Sequence, residues 1–156
     1  MAAVWTLEVY ETRDGAVPFD RFLGGLSGFK LAAVNAAMKQ VLAVRGIDLA
    51  GTEWLKALGN GLHEFRVRHD AEEIAHMFGN QEPAGSGKRE KVLLRVFVHF
   101  HGNKIVLLLG GYDKGADPKE KRQQREIARA RALLVEFKER QRQQKRQRRD
   151  TPRRGR

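Results

Sequence analysis

Four cations stand at strand-like spacing in three β-rich runs of the chain. Arg66 and Arg68 close Leu62-His63-Glu64-Phe65-Arg66-Val67-Arg68, Arg95 is second in Leu94-Arg95-Val96-Phe97-Val98-His99-Phe100, and Lys114 follows the apolar run that ends Gly110-Gly111-Tyr112-Asp113. Residues two apart in a strand share a face, so Glu64, Arg66 and Arg68 point one way while His63, Phe65 and Val67 point the other. Arg95 has the parity of Phe97 and His99. Guanidinium and ammonium groups gathered around a phosphodiester can orient it and stabilise the charge that builds on its oxygens during in-line attack. The competing reading is that these are solubilising arginines on a half-exposed face, or arginines paired with Glu64 and Glu53. Convergence of the four requires the strands to pair antiparallel in sequence order.

Proton transfer is the second chemistry to seek. Of the five histidines, His99 shares Arg95's face and is the candidate relay. His63 lies on the Phe65 side and is expected to pack, His101 belongs to a hairpin, and His69 and His76 belong to a loop. That loop clusters His69, Asp70, Glu72, Glu73 and His76, but the spacing is not that of a helical His-Glu-x-x-His site, so no metal and no cofactor is expected. The chain also lacks a Walker loop, a glycine-rich dinucleotide fingerprint and a nucleophilic serine elbow.

The elements that must position these groups follow from periodicity. Residues 4–10 alternate and predict an opening strand. Pro18 starts a helix marked by Phe19, Phe22, Leu23 and Leu26, and Ser27-Gly28 breaks it. Leu31, Val34, Met38, Val41 and Leu42 define a longer helix ending near Gly46. A connector over 47–61, carrying Trp54 to Leu58, leads to the three strands. Residues 69–91 predict a long, partly flexible loop with one helical turn at its start, and residues 100–104 a tight hairpin. Asp117-Pro118 opens a C-terminal helix whose apolar stripe is Ile127, Ala130, Leu134 and Phe137. The expected division is a folded domain over 1–138 and a basic tail over 139–156, helical at first and disordered over 151–156.

With 156 residues and no cysteine, one domain is expected, and disulfides and thiol chemistry are excluded. No apolar run approaches membrane-spanning length and the start does not resemble a secretory signal, so the expectation is a soluble cytoplasmic protein without a membrane partner. The net charge of +11 is unevenly placed: residues 119–156 hold 16 Lys and Arg against 5 Asp and Glu, and the rest of the chain is neutral. Such a tail suits RNA phosphates, an acidic protein, or solubility alone. It has no aromatic residue after Phe137 with which to stack bases.

Lys56-Ala57-Leu58, Gly61-Leu62-His63-Glu64-Phe65-Arg66, Arg95-Val96-Phe97 and the leucine-rich run ending Tyr112-Asp113-Lys114, in the order strand, two helices, three strands and helix, resemble the RelE/HigB-like type II toxins. The likeness is to the phage-derived branch and spans residues 4–137. It implies an α+β fold of β-α-α-β-β-β-α order, with two helices on a curved antiparallel sheet, a long basic C-terminal helix, and a basic concave face offered to RNA. It further implies a metal-independent, ribosome-dependent mRNA endonuclease restrained by a cognate helix-turn-helix or acidic antitoxin. Carried over residue by residue, Arg68, Arg95 and Lys114 become catalytic, and Lys56, Arg66, His99 and Tyr112 become RNA-binding. The chain departs from the branch in three ways: residues 115–126 hold no tyrosine or histidine, Gly115 stands where a second lysine is common, and the 69–91 segment is longer. ParE-like relatives inhibit gyrase by protein contact, and a noncatalytic phage or prophage nucleic-acid binder is the third reading.

Overall fold

Described residues 2–79 and 88–150 of a computed structural model run β1 (Thr6–Val9), α1 (Pro18–Gly24), α2 (Gly28–Ala37), α3 (Ala43–Arg45), β2 (Leu55–Gly59), β3 (Leu62–Val67), α4 (Ala71–Phe78), β4 (Leu94–His101), β5 (Ile105–Asp113) and α5 (Glu120–Asp150). The expectations for 80–87 and 151–156 lie outside the described residues. Pro18 opens α1 where its missing N–H costs nothing, and the Ser27 hydroxyl caps α2 by accepting from Lys30 N. A π-helical turn over Met38–Leu42 joins α2 to α3. The chain turns away at Gly46, whose φ of +50° and contact with the Trp5 ring leave no room for a side chain.

Two elements differ from the sequence reading. Leu55–Gly59 is an edge strand, not a connector, and it pairs with β3. Residues 71–78 form a two-turn helix. Its Asp70 side chain accepts from Glu73 N while the Glu73 side chain accepts from Asp70 N, a reciprocal cap, and Gly79 ends it in the left-handed region.

The five strands form one sheet in the order β1-β5-β4-β3-β2. β2 to β5 pair antiparallel, but β1 lies parallel to β5, so the sheet is mixed and not antiparallel throughout. Alternation in residues 4–10 identifies a strand without fixing its direction. The chain reaches β5, the parallel partner of β1, only after the helices and β2 to β4, so no tight turn forces the two strands antiparallel. A second correction concerns layers. Leu55, Phe65, Val67, Leu94, Val96, Val98, Val106 and Leu108 meet the N-terminal helices on one face. Leu62, Phe97, Leu107, Leu109 and Tyr112 meet Ala130, Leu134 and Phe137 of α5 on the other. With helices on both faces, β4 is buried from Leu94 through Val98. Among the described residues both faces of the sheet's centre are covered, while Lys56 on β2 and Arg68 just past β3 stay exposed.

α5 continues as one helix across position 138 to Asp150. Its hold on the body extends beyond Phe137: the Arg140 guanidinium donates to Tyr10 Oη at 3.2 Å and to Glu11 O at 2.7 Å, and Arg13 Nη2 donates to Gln143 Oε1 at 3.0 Å. No helix among the described residues is long and apolar enough to cross a membrane.

His69 ties the start of β2 to α4. Its Nε2 lies 2.6 Å from Glu53 and its Nδ1 3.4 Å from Glu73. Burial works against its charged form, but the hydrogen bonds and charges of Glu53 and Glu73 outweigh it and raise the pKa above the ordinary value. A raised folded-state pKa gives stability that is full below about pH 6.5, the unfolded value, and is lost as pH rises through the folded value. Urea midpoints of the wild type and His69→Gln are therefore expected to differ most near pH 5.5 and to converge above pH 8.

Candidate nucleic-acid interface

The strand register assembles the site. Arg66 pairs with Arg95 across β3 and β4, and Arg95 pairs with Tyr112 across β4 and β5, so the three side chains form a row on the α5 face. Lys56, Glu64 and Phe97 form the adjoining row. Tyr112 joins its row through a bulge. The β4–β5 register slips between Phe97 and Val98, with Gly110 at φ +145°, so Leu107, Leu109 and Tyr112 all face α5. Without that extra residue, Tyr112 would follow the parity of Leu108 to the opposite face. The Gly110-Gly111 pair within an apolar strand is its sequence signal.

Glu64, with no exposed surface, is the buried counter-ion at the centre. Its Oε1 accepts from Arg66 Nε at 3.0 Å and lies 3.4 Å from Arg95 Nε, and its Oε2 accepts from Gln123 Nε2 of α5 at 3.3 Å. Arg95 is only 2% exposed. Its burial lowers its pKa; Glu64 opposes the shift, and Arg66 and Arg68 reinforce it. The expectation of a freely presented Arg95 is corrected accordingly: it forms the floor of the cluster. Pairing of the arginines with Glu64 is observed, whereas Glu53 pairs with His69.

Arg68 is exposed at the end of β3 and Lys114 is half-buried just past β5; neither has an ion partner among the described residues. Asp113, beside Lys114 in sequence, points to the other face and accepts from Lys30 Nζ at 2.6 Å. Burial lowers the Lys114 pKa first. Arg95 lowers it further, Glu64 raises it, and Arg66 and Arg68 add to the lowering. These four cations, far apart in sequence, thus sense one another around a single carboxylate.

Tyr112 is 2% exposed, and its hydroxyl has no hydrogen-bond partner. Burial, with Glu64 second, pushes its pKa up to about 12, so the phenol keeps its proton. The ring stacks on Phe97 at 6.2 Å between centroids, and the Arg122 guanidinium lies 5.5 Å over its centre. Arg122 and Gln123, unforeseen from sequence, are the α5 side chains that cover the cluster.

His99 is not part of it. Four residues from Arg95 along β4, it stands about 13 Å away, with Phe97 between them. Its Nδ1 donates to Gly61 O at 2.7 Å, its ring stacks on His101, and Phe137 packs against its edge. Burial lowers its pKa and the Gly61 hydrogen bond opposes that, while Lys138, His101 and His63 add to the lowering. Its environment is that of a packing residue. His63 packs edge-on against Phe100. Lys56 is exposed on β2, opposite Glu64, between the cluster and the β2–β3 turn. A cleft of about 620 Å³ between α1 and α5 shares only Tyr112 with the sites expected from sequence. Among the described residues, no three His, Asp or Glu side chains converge in a way that could hold a metal ion. The chain matches no protein-family model. It also matches no curated protein sequence.

Proposed function

We propose that this chain is a RelE/HigB-like toxin that cleaves mRNA on the ribosome without a metal. One observation carries the reading: Arg66, Arg68, Arg95 and Lys114 gather around one buried glutamate, leaving the patch cationic where a phosphodiester would meet it. Arg66, Arg68 and Lys114 engage the phosphate first. Arg95 and Tyr112 become available when the Arg122 and Gln123 side chains swing aside, and the unpartnered Tyr112 hydroxyl then donates to a phosphate oxygen.

In this mechanism the ribose 2′-oxygen attacks the adjacent phosphorus, a P–O bond forms to the 2′-oxygen, and the bond to the 5′-oxygen breaks. The 2′-hydroxyl proton passes to water, and Lys114, whose ammonium loses its proton more readily than an ordinary lysine, protonates the leaving 5′-oxygen. The products are a 2′,3′-cyclic phosphate and a 5′-hydroxyl. Arg68 and Arg95 stabilise the charge on the equatorial oxygens. Cognate antitoxin binding is part of the same reading.

Because the acid must be protonated, cleavage declines as pH rises through the lowered Lys114 pKa. The alkaline decline is expected to start below the ordinary lysine range in the wild type and to shift upward in Lys114→Arg, as measured by single-turnover rates across pH.

The burial of Arg95 against Glu64 favours a second reading, a noncatalytic nucleic-acid binder. Incubating the purified chain with translating ribosomes and mapping new mRNA 5′ ends separates the two. Cuts in register with codons support the nuclease, and RNA binding without cuts supports the binder. A ParE-like gyrase inhibitor would instead raise a DNA-damage response in cells expressing the chain.

A further inference from the structure

The C-terminal half of α5 carries charge that the cluster does not use. Arg131, Lys138, Arg142, Lys145, Arg146 and Arg149 recur at separations that place them within a stripe about 100° wide on a helix of 3.6 residues per turn. Its first two members show which way it faces. Arg131 donates to Leu58 O at 2.5 Å and Gly59 O at 3.2 Å, and Lys138 donates to Asn60 O at 3.0 Å, so the stripe begins on the β2–β3 turn. The other four are exposed and make no ion pair among the described residues. The helix that bears them is fixed to the body through Arg140 and Gln143.

We infer that Arg142, Lys145, Arg146 and Arg149 form an arm that binds the RNA phosphate backbone at a distance from the cleavage site. This inference rests on the proposed nuclease reading for its choice of RNA. Between Lys138 and Asp150 there is no apolar residue. A protein partner would find no apolar or aromatic side chain to bury, and a lipid surface no apolar face to insert, whereas a phosphate polymer needs only spaced cations. The arm cannot choose sequence, because it holds no aromatic side chain and no bases can stack on it. About 28 Å of helix separates Gln123, over the cluster, from Arg142, so one RNA must span several nucleotides to touch both. Exposed Lys56 lies between them on the hairpin side. The arm thus adds salt-sensitive affinity and leaves the chemistry to the cluster.

The test uses the full chain with Arg142, Lys145, Arg146 and Arg149 all changed to Gln, which preserves helix propensity. A second variant changes the three arginines to Lys and keeps the charge. Binding of a 20-nucleotide oligouridine is measured across KCl concentrations, with helicity checked by circular dichroism. Four lost phosphate contacts should reduce the salt slope by about 3 and weaken binding about 10²–10³-fold at about 0.1 M salt. The charge-preserving variant should bind like the wild type. An unchanged slope in the glutamine variant, or equal loss in the lysine variant, overturns the arm. If the wild type cleaves no RNA yet the glutamine variant loses binding, the nuclease reading fails and the arm stands.

Discussion

Arg68→Ala combined with Lys114→Ala should lower the single-turnover rate of RNA cleavage by at least about 10²–10³-fold, the cost typical of removing one preorganised donor from a developing anion. The melting temperature should stay within a degree or two of the wild type. Both side chains lie at the rim of the cluster and neither has an ion partner among the described residues. Their removal should therefore deprive the phosphate of its first contacts and the leaving oxygen of its acid without exposing a buried charge. Arg95→Ala is a poorer probe. It removes one of two guanidinium groups from a carboxylate with no exposed surface, and a loss of activity there would mix chemistry with unfolding. Full activity in the double variant, at matched protein concentration, would rule out these cations as the catalytic groups.

Glu64→Ala is expected to destabilise the fold by about 3–5 kcal/mol, the range seen when one member of a buried pair is removed and the other charge is left behind. Arg95 would then lie buried beside Arg66 with no counter-charge, and Gln123 would lose its acceptor on β3. Urea unfolding monitored by tryptophan fluorescence measures this directly, since Trp54 packs in the core beside Phe65. Replacing Glu64 and Arg95 together by Leu and Met should recover much of the stability while abolishing activity, because a well-packed apolar pair carries no desolvation penalty. A Glu64→Ala protein as stable as the wild type would mean that Glu64 is not needed to neutralise buried Arg95.

Alternation of side chains made β3 legible, including the shared face of Glu64, Arg66 and Arg68, and the apolar stripe through Phe137 marked α5. Burial of Arg95 was not legible. The run from Leu94 to Val98 is apolar on both parities except for that arginine, which is what a strand covered on both faces looks like. Its parity implies half-exposure only in a sheet with one open face, and here both faces are covered. Strand β2 carries no clear local signal, because Trp54-Leu55-Lys56-Ala57-Leu58 is short and mixed, and only its pairing with β3 makes it a strand. The direction of β1 depends on its pairing with β5, the strand farthest from it in sequence, which no local pattern encodes. Helix α4 is announced by Asp70 and Glu73, which stand at capping-box spacing. His99 shared the face of Arg95, but parity carries no distance along the strand, and four residues place it outside the cluster.

In-line attack by the neighbouring 2′-hydroxyl at the Arg66, Arg68, Arg95 and Lys114 patch is tested most directly on an RNA whose ribose at the mapped cut carries hydrogen in place of that hydroxyl. The account predicts no cleavage of this substrate, and a 2′,3′-cyclic phosphate with a 5′-hydroxyl from the unmodified one. Cleavage of the deoxy substrate at a comparable rate would contradict it.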